Sequence, residues 1–214
     1  NLKAICLQTT SFSYIDGGYA AEQGIPVTNL RGFSSRAVAE FAIMMMIGAA
    51  RKLAVVIKDG FVQDFVKHQG VELQGKRVGI IGLGNIGKNF AELCKGMGMD
   101  VVYWSRSARD ERFTCIELEE LIKTSDVVFP AMAGNKETEK IITDELLSSL
   151  KQTAIFVSIS HKLYNHDLIL HMVKEGRLYG YAFEEDNGNP AKYAGNVLAL
   201  PAIAWATDRS RSVN

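Results

Sequence analysis

Lys76-Arg77-Val78-Gly79-Ile80-Ile81-Gly82-Leu83-Gly84-Asn85-Ile86-Gly87 decides the fold of this 214-residue chain. The run 77–81 reads as a strand buried on both faces, because its apolar residues are consecutive rather than alternating. It enters G-x-G-x-x-G directly, and a helical pattern follows over 85–97. Each glycine then has a task. Gly82 makes the tight turn, Gly84 lets a pyrophosphate approach the backbone, and Gly87 lets the helix pack close to the strand. Asn85 and Ile86, with Gly87, would present N–H groups at the positive end of the helix. Glycine spacing alone is a weak signal. Set in a complete strand–turn–helix unit, it points to dinucleotide binding rather than to a merely tight turn.

Outward from this turn the chain keeps alternating. Strands are expected at 3–7, 26–28, 101–104, 126–129, 154–158, 178–183 and 197–200. Helices are expected at 17–23, 35–57, 118–124, 144–150 (capped by Thr143) and 166–175 (capped by Asn165 and stopped by Gly176). Apolar strands alternating with helices predict an α/β fold, a doubly wound parallel sheet of Rossmann type. The helix over 35–57 is apolar nearly all round at Phe41, Ile43, Met44, Met45, Met46 and Ile47. Such a helix is buried on every face, either by its own core or by a partner chain at a Met-rich dimer seam.

An acid about twenty residues beyond Gly82 would hold the adenine ribose of NAD(H). The sequence there is Tyr103-Trp104-Ser105-Arg106-Ser107, with no acid. Ser105 and Arg106 offer instead a hydroxyl and a guanidinium, the pair suited to a 2′-phosphate, with Arg109 close by to assist. NADP(H) is therefore the expected coenzyme, and NAD(H) the other candidate.

Composition narrows the classes. Lys+Arg and Asp+Glu both number 24, hydrophobic residues make up 47% and charged residues 22%, and there are only 4 Pro and 3 Cys. This excludes a disordered chain, a disulfide scaffold and a nucleic-acid binder working through bulk charge. Cys6, Cys94 and Cys115 are odd in number and unclustered, as expected of reduced thiols in a cytoplasmic protein. No apolar leader opens the sequence, and the longest uncharged apolar stretch, 41–50, is too short to span a bilayer. No metal is expected: His166 and His171 do not share a helix face, and His68 reads as isolated. Lys151 and Lys174 read as solvated helix-end cations.

Several further segments carry a resemblance. They are Gly24-Ile25-Pro26-Val27-Thr28-Asn29, Ala37-Val38-Ala39-Glu40, and Leu73-Gln74-Gly75-Lys76 running into the glycine turn. Leu118-Glu119-Glu120-Leu121, Ser125-Asp126-Val127-Val128, and Glu137-Thr138 followed by Ile141-Ile142 complete the set. Together they resemble the D-isomer-specific 2-hydroxyacid dehydrogenase family over almost the whole sequence. The resemblance implies a coenzyme domain over 29–200, with its long helix 35–57 serving a homodimer. It also implies remnants of a second, flavodoxin-like substrate domain at 1–28 and at 201–214, where a return helix would begin near Thr207. Most of one wall of the family's interdomain cleft would then lie outside this sequence.

The departures from the family fall on the catalytic positions. The substrate-gripping Arg belongs to (N/T)-x-x-R-G, which reads here Ser158-Ile159-Ser160-His161-Lys162, so His161 stands at the Arg. The orienting Glu belongs to a segment matched by Ala182-Phe183-Glu184-Glu185-Asp186-Asn187-Gly188-Asn189-Pro190, which puts Asn189 at the Glu. The proton-donating His belongs to T-P-H-x-A, matched by Leu200-Pro201-Ala202-Ile203-Ala204, which puts Ala202 at the His. The carboxylate-binding loop also departs, with Ser11 or Ser13 beside bulky Phe12 and Tyr14. A positioned general acid is worth roughly 10²–10⁴ in rate, about 3–5 kcal/mol of barrier, and Ala202 has no proton to give.

Two readings of the altered site stay open. In one it has drifted and His161 is a solvated loop residue. In the other His161 is a relocated acid, Lys162 grips the carboxylate, and Glu184 and Glu185 are nearby acids. The resemblance thus implies an NAD(P)-binding protein of impaired or absent dehydrogenase activity, a pseudoenzyme. Two alternatives stand beside it: an active NADP(H)-dependent reductase of a small 2-keto or 2-hydroxy acid, and a fold that has lost its coenzyme. The intact glycine turn argues against the last.

Overall fold

A computed structural model describes residues 2–10, 14–135 and 137–212. The chain opens with a small parallel pair, β1 (Ile5–Leu7) and β2 (Val27–Asn29), joined by helix α1 (Gly17–Glu22). Asp16 caps α1 by accepting from the Tyr19 amide at 2.9 Å.

After α2 (Ser35–Ala50) and α3 (Leu53–Lys58), β3 (Arg77–Ile81) leads through the glycine turn into α4 (Asn85–Gly96) and β4 (Asp100–Trp104). The remaining elements are β5 (Thr114–Cys115), α5 (Leu118–Thr124), β6 (Val127–Pro130), α6 (Asp144–Ser148), β7 (Ile155–Ser158), α7 (His166–Lys174), β8 (Gly180–Glu185), β9 (Val197–Pro201) and α8 (Asp208–Ser212). The large sheet has the order β5-β4-β3-β6-β7-β8-β9, all parallel, so the winding reverses at β3. This is the doubly wound Rossmann-type sheet that the apolar strands predict.

Helices cover both faces, which is why the strands carry no polar alternation. On one face α2 and α4 bury Ala42, Met45, Met46, Phe90 and Cys94 against Val78, Ile80, Phe129 and Val157. On the other, α5, α6 and α7 bury Leu121, Leu147 and Ile169 against Ile81, Phe156, Tyr181 and Phe183. Thr143 and Asn165 cap α6 and α7 as expected, accepting from Leu146 N and Leu168 N.

Several expectations need correction. The helix over 35–57 is two helices. Lys52 adopts φ 52°, and the Ala50 carbonyl, needed to carry α2 onward, instead accepts from Val71 N at 2.9 Å and Tyr179 Oη at 3.1 Å. The chain's own core does not bury the apolar helix all round: Met45 and Met46 are core, whereas Met44 and Ile47 are exposed. Lys151 is no solvated cation, since its Nζ lies 3.0 Å from Asp126 Oδ1 and the pair is half-buried. His68 is not isolated; its Nε2 lies 2.8 Å from Asp59 Oδ2.

Of the cysteines only Cys94 is buried, and burial pushes its thiol up to about 12; Cys6 and Cys115 are exposed. The short edge strand β5 is exposed and carries no apolar run by which it could be predicted. No helix among the described residues is long and apolar enough to cross a membrane.

Candidate functional site

The glycine turn and the candidate site residues of the large sheet come to its carboxyl edge, where a doubly wound fold binds ligands at the point of reversal. The glycine turn follows β3, Ser105 and Arg106 follow β4, His161 comes shortly after β7, Asn189 lies beyond β8, and Ala202 directly follows β9.

The glycine turn is built as the sequence requires. Gly82 has φ +100°, and a Cβ there would lie 2.6 Å from Met132 Cγ. A Cβ on Gly87 would lie 2.3 Å from the Gly82 carbonyl oxygen, so α4 could not pack this close to the turn with any other residue. Gly84 differs. It is the N-cap of α4, no side chain caps the helix, and a Cβ there would meet nothing within 4 Å. The backbone at Gly84 therefore faces open space beside the N–H groups of Asn85, Ile86 and Gly87. That uncapped helix end, at the positive end of a twelve-residue helix, fits a diphosphate.

On the neighbouring bank, Ser105 Oγ accepts from Ala108 N at 3.2 Å. Arg109 turns back on its own loop, its Nη1 donating to the Ser105 and Ala108 carbonyls at 2.9 Å each. Arg106 projects outward and pairs with Glu137, Nη1 to Oε2, at 3.1 Å. Sequence reading missed Glu137 as a partner. The two residues are 31 positions apart, and no local spacing brings them together.

The residues expected at the family's catalytic positions are placed as follows. Asn189 is exposed and caps a 3-10 turn, Pro190–Lys192, its Oδ1 accepting from Ala191 N at 2.9 Å. Ala202 is an exposed residue at the end of β9. His161 opens a 3-10 turn, His161–Leu163; only its backbone belongs to the described structure. Lys162 is exposed. Ser11, Phe12 and Ser13, expected in a carboxylate-binding loop, lie outside the described residues.

Neither nearby acid is free. Glu184 is buried and accepts from Ala204 N at 2.8 Å, so it anchors the turn that follows Ala202. Burial pushes its carboxyl up, opposed by the amides of Ala204 and Ile203. Glu185 Oε2 accepts from Tyr193 Oη at 2.8 Å. Burial and that carboxylate together push the phenol up to about 12. Among the described residues, no group of three or more His, Cys, Asp or Glu has the geometry of a metal site.

A parallel sheet wound both ways from β3, with a glycine turn and an uncapped helix at its central strand, defines a Rossmann-type dinucleotide-binding α/β protein. Comparison with known proteins makes the class specific. Residues 43–205 match the family model described as D-isomer specific 2-hydroxyacid dehydrogenase, NAD binding domain. The chain belongs to that family and carries its NAD(P)-binding domain.

A glyoxylate reductase of Aeropyrum pernix is 32% identical, aligned over 98% of this chain and 69% of its own length. One from Thermococcus gammatolerans is 31% identical over the same shares. Among solved structures, an acyclic imino acid reductase in complex with NADPH and D-arginine matches with TM-score 0.87 at 27% identity, over 99% of this chain and 71% of its own. A D-lactate dehydrogenase from Aquifex aeolicus, complexed with NAD and lactic acid, matches with TM-score 0.84 at 26% identity, over 99% and 72%.

Proposed function

We propose that this chain is a coenzyme-binding member of its family with impaired or absent dehydrogenase activity, preferring NADP(H) to NAD(H). The observation that carries the reading is the fate of the three catalytic positions beside an intact glycine turn. Gly82, Gly84, Asn85, Ile86 and Gly87 would hold the diphosphate through backbone N–H groups, and Ser105 and Arg106 would meet a 2′-phosphate. The nicotinamide supplies the hydride when bound. The chain must then supply a proton to the nascent alkoxide and a cation to the substrate carboxylate.

Ala202 supplies no proton. Asn189 is engaged in capping its own turn, and Glu184 is committed to the Ala204 amide. Residues 1–28 and 201–214 would belong to a second, substrate-binding unit. The free thiols support a cytoplasmic, reducing setting. A homodimer through the long helix is supported by Met44 and Ile47, which are exposed on α2, and the apolar residues Phe61, Val62, Phe65 and Val66 beyond α3 are exposed too.

A second reading is an active NADP(H)-dependent reductase of a small 2-keto acid. It draws on the relatives named glyoxylate reductase and on Lys162, an exposed cation in the loop after β7. One experiment separates the two. NADPH and NADH are titrated against the protein by intrinsic fluorescence, and glyoxylate turnover is then assayed at high enzyme concentration. Saturable binding without turnover is the expected result. Turnover that His161→Ala abolishes would establish the second reading, and absence of binding to either coenzyme would overturn both.

A further inference from the structure

Arg106 and Glu137 stand on opposite banks of the glycine turn. Arg106 follows β4 and Glu137 follows β6, the two strands that flank β3, so their ion pair crosses the end of β3 where Gly82 begins. Both ends rest on closed loops. Asn135 Oδ1 accepts from Glu137 N at 2.9 Å and from Thr138 N at 3.2 Å. Buried Thr138 accepts from Asn135 N at 2.9 Å and donates to the Ala133 carbonyl at 2.7 Å. Opposite, Arg109 and Ala108 close the loop on Ser105.

The pair is 53% and 74% exposed, and pairs of that kind add little to folding. Its consequence is for anions. Arg106 spends only one Nη1 donor on Glu137 and keeps the rest of its fork, but a carboxylate beside a phosphate repels it.

We propose that Glu137 is a coenzyme-specificity residue whose carboxylate, held beside Arg106, repels an arriving 2′-phosphate and so holds down the preference for 2′-phosphorylated coenzyme. A neutral ribose hydroxyl meets no such repulsion. The proposal rests on the reading that the glycine turn binds a dinucleotide with Arg106 near its adenosine ribose.

The test is calorimetric titration of wild type, Glu137→Gln, Arg106→Gln and the double variant with 2′,5′-ADP, 5′-AMP, NADPH and NADH. Low and physiological salt are compared. Glu137→Gln is expected to tighten 2′,5′-ADP and NADPH about 2- to 5-fold at low salt. The other two probes should be unchanged, and the gain should shrink as salt rises. Arg106→Gln should weaken the phosphorylated probes and cancel the gain in the double variant.

An unchanged ratio of phosphorylated to unphosphorylated binding in Glu137→Gln overturns the proposal and leaves coenzyme binding intact. So does a gain that survives in the double variant. If wild type binds none of the four probes, the coenzyme reading itself fails and the proposal falls with it.

Discussion

Gly87 shows how little room the glycine turn leaves. With a Cβ 2.3 Å from the Gly82 oxygen, Gly87→Ala must push α4 away from the turn it is built on. Stability should fall by about 1–3 kcal/mol, and binding of both coenzymes should fall together, read by denaturant unfolding and by titration. Unchanged binding would mean that the turn is not the coenzyme cradle. Glu184 is a residue of another kind, an acid spent on architecture. Its folded pKa is raised by burial above the ordinary 4.5. The folded state therefore holds the proton more tightly than the unfolded chain. Its contribution to stability is fully present below that ordinary value and is lost as pH rises through the folded pKa. Glu184→Gln keeps the acceptor for Ala204 N and removes the titration. Unfolding measured between pH 4 and pH 7 should therefore fall less steeply in the variant than in wild type, and parallel curves would refute this role.

At the scale of elements, the end of α2 depends on distant partners. The Ala49 carbonyl accepts from Asn196 Nδ2 at 2.8 Å, and the same amide group reaches the Tyr179 carbonyl at 3.2 Å. Asn196 is buried, so Asn196→Ala leaves carbonyls without a donor and should cost about 1–3 kcal/mol in urea unfolding. A loss below about 0.5 kcal/mol would mean that water takes over the role. Nothing in the run of alanines and methionines signals that stop. The helix pattern continues through Arg51 and Lys52, and the break comes from Val71, Tyr179 and Asn196, which compete for the last carbonyls. By contrast, α6 and α7 begin where Thr143 and Asn165 predict, because a capping side chain acts within three residues of itself. The glycine turn was legible for the same local reason. The Arg106–Glu137 and Lys151–Asp126 pairs were not, because only the order of the strands brings their members together.

At the scale of the whole molecule, the stretch after α3 exposes the apolar residues Phe61, Val62, Phe65 and Val66. Phe65 and Val66 are its most exposed members, and Lys58 Nζ ties α3 back to the Tyr193 and Gly195 carbonyls. If a second copy covers this stretch, light scattering should give twice the chain mass. Phe65→Asp combined with Val66→Asp should then give the single mass with coenzyme affinity unchanged. A wild-type chain that stays monomeric at tens of micromolar would refute the dimer.

The sequence by itself determined the doubly wound class, the glycine turn and most helix starts. Each is written in residue identity or in a period of a few positions. Tertiary structure alone decided that the long helix breaks at Lys52, that Glu184 is an anchor rather than a free acid, and that Glu137 faces Arg106. These outcomes depend on which distant groups reach the same carbonyl, amide or charge first, and no window of local sequence contains that competition.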